Sequence, residues 1–162
     1  MRDRSGHQEQ SSGIRGLIDL LIQRGVTDFI VSPGSRSTPL VMASLERAEL
    51  KLHAVADERA AAFYALGLRQ GGRRPGLIAT SGSAPCHWHP ALAEAAASQL
   101  DLILLSADRP VDLRERGAPQ TIDQRNLFAP QIDAFFEFHA KHGEPELVRL
   151  SHFLSQTPKT QS

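Results

Sequence analysis

Hydroxyls, arginines and one carboxylate follow short apolar runs of this sequence, and together they could do chemistry. They occupy residues 32–38, 57–59, 81–83 and 107–110. A tight turn with free hydroxyls, backbone N–H groups and an arginine suits a carboxylate or a phosphate. A carboxylate such as that of Glu58, placed in a desolvated cleft, would hold a proton more tightly than it does in water.

Each of these segments also has a purely structural interpretation. The serines and the threonine of residues 32–38 can simply cap the next helix. The same residues lack the Gly-x-x-x-x-Gly-Lys-Ser/Thr pattern of a phosphate-binding loop. Glu58 can serve only to stabilise a helix dipole, with Asp57 as the better cap. Spacing alone leaves both interpretations open.

No metal site is predicted around Cys86, His87 and His89. Neighbouring positions of a helix face different directions, and no second group of ligands accompanies these residues. Cys86 is the single cysteine, which excludes an internal disulfide framework and a zinc site built from several cysteines.

The elements that must position these side chains alternate between strand and helix. Short apolar runs predict strands at residues 28–32, 52–55, 76–80 and 101–106. Helical spacing predicts helices from Ser11 or Ser12 to Gly25 and over residues 39–50, 57–70, 84–98, 131–142 and 146–154. This order predicts an α/β fold, a three-layer domain with a parallel sheet, over residues 11–154. Residues 1–10 are expected to be a disordered lead-in and residues 155–162 a frayed tail.

The polar segments follow the carboxyl ends of the predicted strands. Because ligands bind beyond those ends in open parallel sheets, the four segments are expected to converge on one rim. A further loop, residues 117–124, is rich in amide and hydroxyl groups. Its spacing alone does not distinguish a surface connector from part of the site.

Charge and hydropathy exclude several classes of protein. The 162 residues carry 18 Lys and Arg against 18 Asp and Glu, so the basic excess of an electrostatic nucleic-acid binder is missing. No apolar run reaches the ~20 residues of a membrane span, and the polar start does not resemble a signal peptide. The sequence therefore predicts a cytoplasmic protein with no nucleic-acid partner and no membrane span.

Five of these segments, in this order, resemble motifs of the menaquinone-pathway (MenD) family of 2-succinyl-5-enolpyruvyl-6-hydroxy-3-cyclohexene-1-carboxylate synthases. The resemblance extends over about residues 14–128. It lies in Ser-Pro-Gly-Ser-Arg-Ser-Thr-Pro-Leu (32–40), Asp-Glu-Arg (57–59) with the following helix, Thr-Ser-Gly-Ser-Ala (80–84), Ala-Asp-Arg-Pro (107–110) and Gly-Ala-Pro-Gln-Thr-Ile-Asp-Gln (117–124). Ser83 stands where the family usually has threonine.

The resemblance implies a thiamine-diphosphate enzyme of which this chain is the N-terminal, pyrimidine-binding domain. By matching motifs, Glu58 is the catalytic residue that hydrogen-bonds ring nitrogen N1′ of the aminopyrimidine. The same matching assigns cofactor contacts to Ser81, Gly82 and Ser83, and contacts to isochorismate or the intermediate to Ser35, Arg36, Arg109 and Gln120. Phe63 and Tyr64 are expected to lie in the core rather than at the site.

The activity implied is decarboxylation of 2-oxoglutarate on thiamine diphosphate and addition of the resulting carbanion to isochorismate. The family's Gly-Asp-Gly…Asn pattern for Mg²⁺ and diphosphate is absent from this chain, so the chain alone is expected to be inactive. Two alternatives stay open: a non-catalytic dicarboxylate-binding module, and a partner domain for a separate diphosphate-binding chain. The resemblance also implies a homo-oligomer, associating through the helix after Asp57 and the helix through His89.

Overall fold

A computed structural model describes the chain over residues 4–114, 116–139 and 144–156. Within those ranges, helices and strands alternate as the sequence predicted. The α-helices are α1 (Arg4–Gln23), α2 (Thr38–Leu45), α3 (Glu58–Gln70), α4 (His89–Ala97) and α5 (Glu144–Gln156). The strands are β1 (Asp28–Val31), β2 (Lys51–Ala54), β3 (Pro75–Ala79) and β4 (Ile103–Ser106). Short 3-10 helices cover Ser35–Ser37, Ala84–Trp88 and Val111–Leu113.

The four strands form one parallel sheet in the order β2-β1-β3-β4. The central strands β1 and β3 are buried along their whole length, whereas the edge strands β2 and β4 are partly exposed. Continuous apolar runs are typical of parallel strands that are covered on both faces, which is why β1 and β3 could be recognised from the sequence.

Helices cover both faces of the sheet, so the predicted three-layer α/β domain is confirmed. Successive side chains of a strand point to opposite faces. Phe29, Val31 and Ile78 pack with α1 and α2, and the apolar side of α5 joins that layer. Ile30 and Leu77 pack on the other face, in a core cluster shared with α3 and α4.

The ends of several predicted helices are wrong. Helix α1 begins at Arg4, so residues 4–10 of the expected disordered lead-in are helical, and Ser11 and Ser12 lie inside the helix instead of capping it. Once a helix is nucleated, extending it through polar residues costs little free energy, provided that none of them is proline. Helix α2 ends at Leu45 instead of residue 50, and residues 84–88 form a 3-10 turn before α4.

The helix predicted over residues 131–142 is also wrong within the described part, residues 131–139, which contains no helix. Its apolar side chains contact different elements instead of sharing one helical face. Ile132 packs against the core cluster beside α3, whereas the ring of Phe136 lies 5.6 Å from that of Phe153 on α5. Residues 1–3, 140–143 and most of the predicted tail lie outside the described residues.

Candidate functional site

The carboxyl edge of the sheet contains a point where the chain diverges. After β1 the chain continues into α2 on one face of the sheet, and after the neighbouring strand β3 it continues into α4 on the opposite face. Such a divergence leaves a crevice between the two strand ends, and in open α/β sheets this crevice is where ligands bind. The fold therefore places residues 32–37 and 80–83 on the two sides of one crevice.

Two glycines let three segments meet at this crevice. A Cβ on Gly34 would lie 2.3 Å from Cβ of Thr80, so only a glycine lets the exits of β1 and β3 approach this closely. Gly82 has a left-handed backbone, with φ of 78°, and a Cβ there would lie 2.7 Å from Cγ of Gln120. The turn after β3 is thus in direct contact with the loop at residues 117–121.

Ser81 connects the three segments through its buried side chain. Its hydroxyl accepts a hydrogen bond from Nη1 of Arg36 at 2.5 Å and donates one to the carbonyl oxygen of Gln120 at 2.9 Å. The side-chain amide of Gln120 donates in return to the carbonyl oxygen of Ser81 at 3.1 Å. Three residues that the sequence assigned separately to the cofactor and to the substrate therefore form one hydrogen-bonded group.

Arg36 and Arg109 converge on the same short stretch of backbone. Arg109 donates from Nη2 to the carbonyl oxygen of Pro119 at 3.1 Å, and Arg36 reaches the carbonyl oxygens of Pro119 and Gln120 at 3.5 Å. Within the described residues neither guanidinium forms an ion pair with a carboxylate, and Nε of Arg109 is buried without a partner. Two positive charges that, among the described residues, meet only carbonyl groups and the hydroxyl of Ser81 make this cluster suited to an anion.

Gln120 itself adopts an unusual backbone conformation, with φ of 58°. A residue with a side chain pays about 1–2 kcal/mol for the left-handed region, and residues held there cluster at binding and catalytic sites. The hydrogen bonds with Ser81 and the contact with Gly82 hold Gln120 in this conformation. The loop therefore presents two carbonyl groups toward the arginines.

A second layer of contacts, which the sequence did not reveal, fixes Arg109. Asp108 accepts a hydrogen bond from the backbone N–H of Arg109 at 2.7 Å and pairs with Arg114 at 3.2 Å. Arg114 also donates to the carbonyl oxygen of Arg109 and pairs with Glu137. Glu137 could not be recognised as a contributor because its segment had the spacing of a helix and was predicted as one.

The loop at residues 117–124 is anchored at its far end by Gln124. This buried side chain donates from Nε2 to the carbonyl oxygen of Ala107 at 3.0 Å, directly before the Asp108–Arg109 turn. The sequence signal that could have identified it is its position as the last residue of the motif at residues 117–124. Gln124 holds the loop against the end of β4.

Glu58 lies at the same edge of the sheet but makes no contact with the arginine cluster. It is the first residue of α3, the helix that follows β2, and is half-buried. Asp57 caps the helix, since its Oδ1 accepts from the N–H of Ala60 at 2.9 Å. This backbone hydrogen bond holds the pKa of Asp57 below its ordinary value. Among the described contacts, the carboxylate of Glu58 has no hydrogen bond or ion pair, so it is available to a ligand.

The remaining predicted site residues lie at the rim with exposed side chains. Ser35 begins the 3-10 helix after β1, and Ser83 precedes the 3-10 helix after β3. Phe63 and Tyr64 are not in the core as predicted, since they are 43% and 44% exposed on α3. The small alanines of that helix, Ala61, Ala62 and Ala65, take the buried positions and bring it close to the sheet.

Comparison with known proteins agrees with this geometry. Residues 12–127 match the family described as thiamine pyrophosphate enzyme, N-terminal TPP binding domain. The chain belongs to this family. The family resemblance inferred from the motifs is thereby confirmed at the level of the domain.

Curated relatives carry the name that the sequence motifs indicated. The chain is 41% identical over 162 residues to the 2-succinyl-5-enolpyruvyl-6-hydroxy-3-cyclohexene-1-carboxylate synthase of Bacillus pumilus. The match covers 94% of this chain and 28% of that protein. It is 46% identical over 133 residues to the synthase of Dechloromonas aromatica, covering 82% of this chain and 24% of that protein. The chain thus spans about a quarter of the length of these relatives.

A solved structure supports the fold independently. The thiamine diphosphate-dependent 4-hydroxybenzoylformate decarboxylase of Rhodococcus jostii matches 75% of this chain and 23% of its own, with a TM-score of 0.67 at 18% identity. At that identity the likeness establishes the α/β fold alone. None of the helices in the described ranges is both long and apolar enough to cross a membrane.

Proposed function

We propose that this chain is the pyrimidine-binding part of a menaquinone-pathway synthase that joins 2-oxoglutarate and isochorismate. The observation that carries the proposal is the convergence of Arg36, Arg109, Ser81 and Gln120 at the crevice between β1 and β3. Both substrates carry carboxylates, which arginines recognise by charge and by paired hydrogen bonds. The reaction is the one that the motif resemblance implies, and the cluster would provide a site for its anions.

The described residues fit the aminopyrimidine half of thiamine diphosphate. Glu58 offers a half-buried carboxylate that has no protein partner among the described contacts, so it is available to a ring nitrogen. Glu58 would hold ring nitrogen N1′ and share its proton, while Ser81, Gly82 and Ser83 would line the ring. When bound, the cofactor supplies the electron sink for decarboxylation of a 2-oxo acid.

The diphosphate and its Mg²⁺ require residues from elsewhere. The 162 residues contain no Gly-Asp-Gly sequence, and we infer that a domain outside this chain supplies the metal site. This chain is therefore proposed to work in an assembly, with the face formed by α3 and α4 as the contact between copies. Its own share of the reaction is to orient the two anions and to hold one proton at Glu58.

A second candidate function is a non-catalytic dicarboxylate-binding module, or a partner domain for a separate diphosphate-binding chain. It is favoured by one observation: the arginine cluster is assembled entirely from residues of this chain. Binding of a dicarboxylate is expected in both cases. Adding a diphosphate-binding domain in trans identifies the non-catalytic module, because a module of that kind gives no turnover even then, whereas a synthase domain and a partner domain both would.

Titration calorimetry with 2-oxoglutarate tests the anion site directly. Hydrogen bonds to charged groups contribute about 1.5–3 kcal/mol, so Arg36→Gln is expected to weaken binding by about 10- to 100-fold. Arg15→Gln is the matched control, because Arg15 forms an exposed ion pair with Glu46. Equal affinities of the wild-type chain and Arg36→Gln would remove the basis of the proposal.

A further inference from the structure

A second group of polar side chains lies away from the carboxyl rim. Asp28, at the start of β1, is completely buried. Its Oδ1 lies 2.8 Å from Nε2 of His53 on β2, and Nδ1 of His53 lies 3.2 Å from the hydroxyl of Tyr64 on α3. Asp28, His53 and Tyr64 thus form a continuous chain of contacts from the interior to the surface.

The other oxygen of Asp28 has its own donors. Oδ2 accepts from the hydroxyl of Thr27 at 2.7 Å and pairs with Nη2 of Arg73 at 2.8 Å. Burial by itself would raise the pKa of Asp28, but the hydrogen bonds from Thr27 and His53 and the charge of Arg73 outweigh it, so the pKa lies below its ordinary value. Asp28 is therefore an ionised acceptor, and Oδ1 is left for His53.

The ionised carboxylate decides which nitrogen of His53 carries the proton. Asp28 has no proton to give, so Nε2 must be the donor between them. In the neutral ring Nδ1 then carries the lone pair, and the hydroxyl of Tyr64 donates to it. His53 is oriented as a base toward a phenol, with a carboxylate behind it to stabilise the imidazolium that proton transfer would form.

We propose that Tyr64 is an activated nucleophile, a site of acyl transfer from activated acyl compounds. The phenol oxygen attacks the acyl carbon and forms an ester bond, while its proton moves to Nδ1 of His53. The bond between the acyl carbon and the leaving group breaks, and the leaving group takes the proton from His53. The products are O-acylated Tyr64 and the protonated leaving group, so no oxidant or metal is required.

The position of Tyr64 makes its hydroxyl reachable. The side chain is 44% exposed, and its contact with His53 lies at the surface. It does not line the groove between α3 and α4, to which Phe63 contributes. Acyl transfer to Tyr64 therefore uses neither the arginine cluster nor the residues that line that groove.

Acetylation with N-acetylimidazole tests the proposal, because Tyr64 is the only tyrosine of the chain. The rate is followed as formation of hydroxylamine-labile O-acetyltyrosine, identified by peptide mass, and Tyr64→Phe gives the background. General-base catalysis contributes about 10²–10⁴-fold, so His53→Gln is expected to slow acetylation by about 10²-fold. His152→Gln, at an exposed position of α5 away from this group, is the matched control and is expected to leave the rate near that of the wild type.

Two results would overturn the proposal. One concerns the His53→Gln variant, once circular dichroism shows that it is folded. If acetylation of its Tyr64 is slowed by less than about tenfold relative to the wild type, the effect is smaller than general-base catalysis gives. The other needs no variant: a wild-type rate equal to or below that of N-acetyltyrosine amide at the same pH. A faster wild-type rate together with a slow His53→Gln variant supports it.

Discussion

At the scale of single residues, the chemistry of the rim depends on three charged side chains, Arg36, Arg109 and Glu58, that form no ion pair within the part of the chain that the structure describes. The sequence motifs predicted which types of side chain would meet at the rim, namely two arginines, a hydroxyl and an amide. They could not show that Ser81 lies between Arg36 and Gln120, because that contact depends on where the loop at residues 117–121 runs. Nor could they reveal Glu137, whose pairing with Arg114 crosses between two irregular segments.

Glu58→Gln is expected to abolish most turnover in an enzyme reconstituted with the missing domains in trans. An amide cannot share a proton with a ring nitrogen as a carboxyl group does, and a general acid–base contribution is typically about 10²–10⁴-fold. The free energy of unfolding should change little, since a charge at a helix N-terminus contributes about 0.3–1 kcal/mol. Glu49→Gln, at an exposed position, is the control. A reconstituted Glu58→Gln enzyme with full activity would contradict the assignment.

Gly82→Ala is expected to destabilise the chain and to weaken 2-oxoglutarate binding. Its backbone has φ of 78°, and the added Cβ would lie 2.7 Å from the side chain of Gln120. Gly72→Ala separates the two effects, because Gly72 has φ of 81° and open space around its Cβ position. In both variants the free energy of unfolding, measured with urea, should fall by about 1–2 kcal/mol because of the backbone conformation alone. Only Gly82→Ala should lower the affinity for 2-oxoglutarate. An equal loss of affinity in both variants would show that the contact with Gln120 does not contribute to binding.

At the scale of elements, the strands were predictable and the helix ends were not. Buried parallel strands leave continuous apolar runs, so β1 and β3 were located to within a residue. Helical spacing is less decisive: Phe135, Phe136 and Phe138 fit one helical face, yet their segment is irregular and Phe136 packs on α5. The choice between these conformations depends on which neighbouring elements are available, and the local sequence does not contain that information.

Asp28 connects β1, β2 and the turn after α3, and this connection should depend on pH. The pKa of Asp28 is lowered in the folded chain, so its contribution to stability is present above the unfolded value of about 3.9 and is lost as the pH falls through the folded value. We expect the free energy of unfolding to fall below about pH 4, and Asp28→Asn to reduce that fall. Urea titrations at several pH values measure how steeply the free energy of unfolding depends on pH. Identical dependences in the wild type and in Asp28→Asn would exclude Asp28 as a source of this pH dependence.

At the scale of the whole molecule, a groove between two helices lies open at the surface. It lies between α3 and α4, has a volume of about 570 Å³, and is lined in part by Phe63, Leu66, Gly67 and Pro90. The small residues of both helices leave space for close approach by another helix, and Phe63 is exposed beside them. We propose this face as the contact between copies of the chain.

We expect a dimer or larger assembly in light scattering, and a shift toward monomer in Phe63→Arg, because the new charge would have to be buried in the contact. Phe135→Arg is the matched control, since Phe135 is similarly exposed but does not line the groove. A wild-type chain that stays monomeric at high concentration would show that this face is not a contact between copies.

The hydrogen bonds among Arg36, Ser81 and Gln120 also affect the rates of folding and unfolding. Arg36 and Ser81 are 45 residues apart, Ser81 and Gln120 are 39 apart, and Arg36 and Gln120 are 84 apart. Closing such long loops costs entropy before any contact is gained, so these bonds should form after the strands have paired. Interactions absent from the folding transition state slow unfolding without speeding folding. An anion bound between the two arginines should therefore lengthen the lifetime of the folded chain and leave the rate at which it folds unchanged.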